Sequence, residues 1–324
     1  MGESQGNTSG SLSIILTGFP GLEDSLYWMF ILLGALYSVS ILGNSLILVI
    51  LKEEQSLHQP MYYFLAMLAI SDLGVNCSTL PTVLGTFCFN VREVSFDACM
   101  TQMFFIHSFS LTESGILLAM SFDRYVAICN PLRYSAILTG SSIVKMGLAI
   151  LVRSFILILP LPFLLRRLPF CKVNILHHAY CLHPDLIHLP CGDTTFNSLF
   201  GLFIVLSTFG LDSVLIFLSY VLILRSVLTI VSQSGQSKAL NTCISHICAV
   251  LIFYIPMLGV SMIHRYGKRA PPFIHTLMSI VYLFVPPMLN PIIYSIKTKD
   301  IYKKMDKMLS GAFGVGRGVK PLSG

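Results

Sequence analysis

Charge is what this sequence holds least of. Asp, Glu, Lys and Arg make up only 11% of its 324 residues while 54% are hydrophobic, whereas a soluble domain carries about 25% charged residues. An ordinary water-facing surface is thereby excluded. The signatures of common enzyme chemistry are missing too: there is no P-loop glycine pattern, no HExxH zinc motif and no Gly-x-Ser-x-Gly elbow. No internal repeat places broken hydrophobic segments at matching positions, which argues against a transporter. The first 20 residues lack a basic start and a long apolar core, so no cleavable signal peptide is expected and the first apolar segment would double as the targeting signal.

What the chain does have is apolar length. Crossing about 30 Å of hydrocarbon takes about 20 helical residues, because each rises about 1.5 Å and every backbone polar group must be satisfied internally. Seven stretches qualify: Tyr27 to Leu51, Met61 to Phe89, Cys99 to Ser121, Met146 to Leu165, Thr194 to Leu224, Ala239 to Ile263 and Pro271 to Ile296. The sequence therefore predicts an all-α membrane protein, a seven-transmembrane helix bundle with a short cytoplasmic amphipathic helix. Residues 1–26 would form an extracellular N-terminus, 27–296 the transmembrane domain and 297–324 a cytoplasmic tail.

Orientation follows from the basic residues. With the N-terminus outside, thirteen of the twenty-one Lys and Arg fall on the inner side, seven outside and Arg153 within a helix. Asn7-Thr-Ser9, a short glycosylation acceptor that works only on the outer side, agrees. So does the tail, where Ile301, Met305 and Met308 share one face with lysines between them, as on a helix lying along the inner surface. Cys99, Cys171, Cys181 and Cys191 fall on the oxidising side, where four cysteines allow three pairings. Cys77, Cys88, Cys129, Cys243 and Cys248 read as small apolar packers.

Several motifs sit at the helix ends. They are Gly43-Asn44, Leu57-His-Gln-Pro-Met-Tyr-Tyr63, Met120-Ser-Phe-Asp-Arg-Tyr-Val-Ala-Ile-Cys129, Ser219-Tyr220, Lys238-Ala-Leu-Asn-Thr-Cys-Ile-Ser-His246 and Asn290-Pro-Ile-Ile-Tyr294. In this order they resemble a rhodopsin-like G-protein-coupled receptor, and among these the odorant receptors, over nearly the whole chain. Phe122 and Leu240 depart from the family's commoner Tyr and Phe. Cys181-Leu-His183, His264-Arg265 and Gly18-Phe-Pro-Gly-Leu22 resemble the class I, or fish-like, subclass, often associated with water-soluble ligands such as carboxylic acids. The resemblance implies bridges from Cys99 to Cys181 and from Cys171 to Cys191. It also implies a multi-pass plasma-membrane protein whose partners are a small-molecule odorant and a heterotrimeric G protein of the stimulatory, olfactory type, raising cyclic AMP. No cofactor and no nucleic-acid partner is implied. A non-olfactory receptor for a peptide or lipid mediator would share fold and latch, and stands as the alternative. His177-His178 with His183 suggests a metal site only weakly, since the spacing is irregular and the loop is cysteine-rich.

An ionisable group at membrane depth is costly and is by default a functional candidate. Asp72, Glu113 and Asn290 are expected to meet near mid-membrane, close to Asn44. Two carboxylates in one dry site cannot both stay charged without a cation or proton between them. They either hold a sodium ion or share a proton, or else belong to a network that only packs helices. Arg153 and Asp212 have no role that spacing can assign.

A ligand pocket is expected in the outer half. Tyr254, Leu258, Ser261 and Arg265 recur at spacings of four, three and four, giving one stripe on the sixth helix. Arg265 offers a planar fork to a carboxylate, or is simply a solvated helix-end residue beside Lys268 and Arg269. His107, Ser110 or Leu111, and Ser114 share a face of the third helix, with His183 hanging above; His107 reads equally well as a satisfied core histidine. At the inner end Asp123 would neutralise Arg124 at rest, beside Tyr125. The region from Lys238 to His246 would swing outward on activation, with Pro256 as hinge and Tyr220 and Tyr294 moving in to support Arg124. The segment after Ser310 is Gly-rich and expected to be disordered.

Overall fold

A computed structural model describes residues 12–18, 26–170, 174–176, 178–230, 232–266, 271–297 and 299–312. Among the described residues seven helices are long and apolar enough to span a membrane. They are α1 (Leu26–Glu53), α2 (Pro60–Cys88), α3 (Phe96–Cys129), α4 (Gly140–Arg166), α5 (Thr195–Leu228), α6 (Gln233–Tyr266) and α7 (Pro272–Lys297), and α8 (Lys299–Ala312) follows. The expected segments are all present, but α3, α4 and α6 run past their apolar windows, because polar residues end a hydrophobic run without ending the helix. Asp123 and Arg124 therefore stand inside α3 and do not close it.

Local chemistry sets several boundaries. The Ser95 hydroxyl accepts from the Ala98 N–H at 3.3 Å and starts α3, and Thr139 does the same for α4 through Ser142 at 3.3 Å. Pro60 opens α2, where its missing N–H is not needed. The α4 ladder is interrupted at Leu159, just before Pro160. A π-helical turn over Leu206–Gly210 interrupts α5 immediately above Asp212.

The bundle is organised around α3. Of its most apolar window 72% is buried, against 22% for α4, and α3 packs on α2, α4, α5 and α6. α8 lies against α1 and α7 with Ile301 fully buried and Met305 and Met308 packed on the core, as its amphipathic pattern predicts. Lys304 of α8 reaches Glu54 at 3.5 Å. Cys243 is buried with Ile223 and Val227, and the half-buried Cys129 packs against them, as the packing role read for the unpaired cysteines expects; Cys248 is half-buried, and Cys77 and Cys88 are exposed on the bundle surface.

Besides the helices, the described residues form one small three-stranded sheet. β1 (Ser13–Leu16) pairs antiparallel with β2 (Glu93–Ser95), with Ile14 opposite Val94, and parallel with β3 (Ile175–Leu176), with Leu16 opposite Leu176. Ile14 and Leu16 point inward with no exposure while Ile15 is 39% exposed, the alternation of a strand. Strands of two to four residues are too short to show periodicity in a sequence. Asn7 and Cys171 lie outside the described residues.

Candidate functional site

The outer half of the bundle encloses a cavity of about 390 Å³ bounded by α3 to α7 and by the loop between α4 and α5. Its roof is that loop, where a one-turn helix, His183–Leu186, follows the Cys99–Cys181 disulfide, whose Cα atoms are 5.5 Å apart. Gln102 of α3 fastens the same loop: its Oε1 accepts from the Cys181 N–H at 2.8 Å, while its Nε2 donates to the Ser78 carbonyl at 2.8 Å and to Thr82. The roof is thereby tied both covalently and by hydrogen bonds to α2 and α3.

Most of the lining is apolar, including Leu111, Ile158, Ile204, Phe209, Met257 and Val260, with polar groups at His107, His183, His188, Ser198, Ser261 and Tyr282. The Nε2 of His107 accepts from the His183 backbone N–H at 3.1 Å, which places the imidazole proton on Nδ1. Gly201 lets the His183 ring lie on α5, since a Cβ there would stand 2.8 Å from the ring carbon Cε1. Tyr282 donates to Ser110 at 2.8 Å, tying α7 to α3 at the cavity wall. A small apolar enclosure with a few convergent polar groups is the general form of a small-molecule site.

Of the residues expected here, His107, His183 and Ser261 line the cavity and Leu111, not Ser110, joins them. Leu258 does not line it: its side chain is 48% exposed on the outer face of α6, and Met257 and Val260 face inward in its place. At about 100° per residue Leu258 lies about 40° to one side of Tyr254 and Met257 about 60° to the other, and the cavity is on the Met257 side, so Tyr254, Met257 and Ser261 form the inward stripe. Ser114 is fully buried below the cavity and not part of its wall. Arg265 belongs to the last turn of α6, and its side chain lies outside the described ones.

Beneath the cavity lies a centre that spacing did not reveal. Arg153 of α4 makes a two-pronged pair with Asp212 of α5, Nη1 to Oδ1 at 2.9 Å and Nη2 to Oδ2 at 2.8 Å. The Ser114 hydroxyl donates to the same Asp212 Oδ2 at 2.8 Å and lies 2.8 Å from the Tyr254 hydroxyl. With its own proton on Asp212, Ser114 must accept from Tyr254. Four helices, α3 to α6, thus meet through one carboxylate. Gly115 makes room for the guanidinium, as a Cβ there would sit 3.0 Å from Nη2 and 2.6 Å from Ile150.

A second acidic centre joins α2, α3 and α7. Asp72, Glu113 and Asn290 are brought together as expected: Asn290 Nδ2 donates to the two Asp72 oxygens at 3.3 and 3.1 Å, and the Glu113 carboxyl is in hydrogen-bonding contact with Asp72. The other Glu113 oxygen, Oε1, is buried without a partner. Asn44 donates to the Ser40 and Pro287 carbonyls, each at 2.9 Å, and so joins α1 to α7.

At the inner end Arg124 donates from Nε to Asp123 at 2.9 Å, and Tyr134, in the short helix Tyr134–Ile137, donates to the other Asp123 oxygen at 2.7 Å. Burial, reinforced by the adjacent Asp123 carboxylate, raises the Tyr134 phenol well above its ordinary range, so it remains a donor. His246 Nε2 lies 3.0 Å from the Leu117 carbonyl, which can only accept, so its Nδ1 accepts from Tyr220 at 2.6 Å. Tyr294 is buried with its hydroxyl 3.9 Å from the Met120 sulfur. Pro256 is buried within an unbroken α6. These contacts hold α3, α5 and α6 together around a covered Arg124, whose side chain is only 13% exposed.

Seven membrane helices, an outer bridge from α3 to the loop before α5, and a neutralised arginine at the inner end of α3 define a rhodopsin-like G-protein-coupled receptor. A sequence profile of the olfactory receptor family matches residues 33–312. Olfactory receptor 51I1 of Homo sapiens is 61% identical over 288 residues, 89% of this chain and 92% of that protein. Human olfactory receptor 51I2 is 59% identical over 294 residues, covering 91% and 94%, and human olfactory receptor 51G2 is 55% identical over 300 residues, covering 92% and 96%. The chain belongs to the olfactory receptor family, whose members are multi-pass plasma-membrane receptors for odorants that act through G proteins and are not enzymes.

Proposed function

We propose that this receptor binds a small carboxylic acid, or a similarly polar odorant, in the outer cavity and activates a stimulatory G protein to raise cyclic AMP, with its N-terminus outside the cell. The observation that carries the reading is the outer cavity: about 390 Å³, mostly apolar, with His107, His183 and Ser261 converging on it. Arg265 follows Ser261 by one helical turn at the outer end of α6. In this reading the carboxylate lies toward Arg265 with Ser261 and a histidine assisting, and the alkyl tail packs near Leu111, Met257 and Phe209. Ligand contacts shift the outer part of α6, hinging at Pro256 carries the motion inward, and the Tyr220–His246 and Asp123–Arg124 contacts open to admit a G-protein segment. In the resting state Asp72 and Glu113 hold a sodium ion or share a proton.

The test is cyclic AMP in cells expressing the receptor, for a series of short and medium carboxylic acids beside the matching alcohols and methyl esters, with Arg265→Ala as the paired variant. Acids alone should act, and the variant at equal surface expression should need at least roughly thirtyfold more acid, given that losing one partner of a hydrogen-bonded charge pair costs about 2 kcal/mol or more. Equal potency of alcohols or esters, or an unchanged variant, would refute the carboxylate site.

A further inference from the structure

A second cavity, of about 650 Å³, opens on the lateral, lipid-facing side of the bundle between α3, α4 and α5 and shares no lining residue with the first. Its walls are mostly apolar, with Tyr125 and Ser219 among them, and several wall residues are exposed, Phe122 at 39%, Leu215 at 40% and Leu218 at 49%, so the bilayer meets this opening. Arg153 lines it, and its side chain stays 32% exposed although it is paired with Asp212. Arg153 lies thirteen residues from the start of α4 at Gly140, roughly 20 Å at 1.5 Å per residue, which is mid-membrane depth.

A guanidinium has five N–H donors and no acceptor. Asp212 takes one from Nη1 and one from Nη2, and Nε is buried with no acceptor. Donors without an acceptor in hydrocarbon are costly; after the Asp212 pair one hydrogen remains on each of Nη1 and Nη2, on a side chain that is 32% exposed and lines a space large enough for a small organic molecule.

We propose that this cavity is a second ligand site, entered from the bilayer, for a neutral lipid-soluble molecule carrying a ketone or ester carbonyl. The carbonyl oxygen lies against the Arg153 guanidinium and the hydrocarbon body runs along α3 and α5 toward Leu222. An acceptor-only group complements a donor-only one. A carboxylate is disfavoured, because Asp212 already neutralises Arg153 and a further negative charge at this depth would be uncompensated. A plain hydrocarbon leaves the donors unmet. Occupancy reaches α6 through Asp212, Ser114 and Tyr254. The site does not depend on which odorant fills the outer cavity.

The test is photolabelling of the full receptor in cell membranes with methyl dodecanoate carrying a diazirine on its chain, beside dodecanoic acid and dodecane probes carrying the same group, followed by peptide mapping. The ester should label segments 115–125, 146–153 and 215–222 roughly tenfold more than the acid or the alkane, the factor expected for one hydrogen bond to a charged donor, and unlabelled methyl dodecanoate should compete. Ala149→Phe, which fills the cavity one turn below Arg153, should lower labelling by a similar factor, as should Arg153→Lys, which keeps a cation beside Asp212 but removes the planar fork. Equal labelling by all probes, preference for the acid, or full labelling of Ala149→Phe at normal surface level overturns the site. Should Arg153→Lys fail to reach the surface, Ala149→Phe decides alone.

Discussion

Asp212 and Asp72 are both fully buried carboxylates, yet only Asp212 faces a cation. Arg153 balances its charge and Ser114 fills a further acceptor position, so the charge of that centre is balanced within the protein. Asp72 instead meets Glu113, a second acid, with Asn290 as a neutral donor. Its charge can be balanced only from outside, by a proton or a cation. The comparison separates a centre that holds helices together from one whose state can change with its surroundings.

Breaking the balanced centre should have the largest effect. Arg153→Ala leaves Asp212 charged and unpaired in the membrane, and removing one partner of a buried pair costs about 3–5 kcal/mol, enough to remove most receptor from the cell surface. Replacing both partners, Arg153→Met with Asp212→Leu, should restore much of the surface level, because the cost lies in the unpaired charge. Flow cytometry of tagged receptor decides it. A double variant as poorly expressed as the single one would mean that the pair itself, and not charge balance, sustains the fold.

The unbalanced centre should respond in the opposite sense. Glu113→Gln removes one of the two facing acids, so Asp72 no longer needs a shared proton or ion. Surface expression should stay near normal, with a stability change within about 2 kcal/mol, while any dependence of basal cyclic AMP on sodium concentration disappears. Sodium dependence that survives the substitution removes support from the ion reading.

The two centres also differ in how far they can be read in sequence. Asp72, Glu113 and Asn290 are ionisable or amide residues within otherwise apolar runs, and the resemblance of the helix-end motifs to a known family brings their positions together. Arg153 and Asp212 are equally visible as intramembrane charges, but their contact depends on how α4 and α5 rotate. The π-helical turn over Leu206–Gly210 resets α5 just before Asp212, and no periodicity argument anticipates it. Gln102 and Tyr134 were missed because Gln102 binds, and Tyr134 sits in, a connecting segment whose path sequence does not fix. Leu258 was misplaced because spacing defines a stripe but not which of its flanks faces the cavity, whereas His107, His183 and Ser261 stand where the helical period and the bridged loop put them. The span of each helix was legible from apolar length, and the three short strands were not.

The smallest effect sharpens the comparison furthest, because it asks whether the balanced centre only holds or also transmits. Tyr254→Phe removes one hydroxyl from α6 and leaves the Ser114 and Arg153 bonds to Asp212 in place. Losing one neutral hydrogen bond costs about 0.5–1.5 kcal/mol, so expression should hardly change. If that bond favours the resting position of α6, the same energy shifts the balance of states by roughly two- to tenfold, and basal cyclic AMP per surface receptor should rise accordingly. If the bond is equally strong in both states, basal activity stays put while thermal stability falls. Tyr254 would then be a fastening of α6 and not a reporter of its movement, and the path from ligand to Arg124 would run through Pro256 and the Tyr220–His246 contact alone.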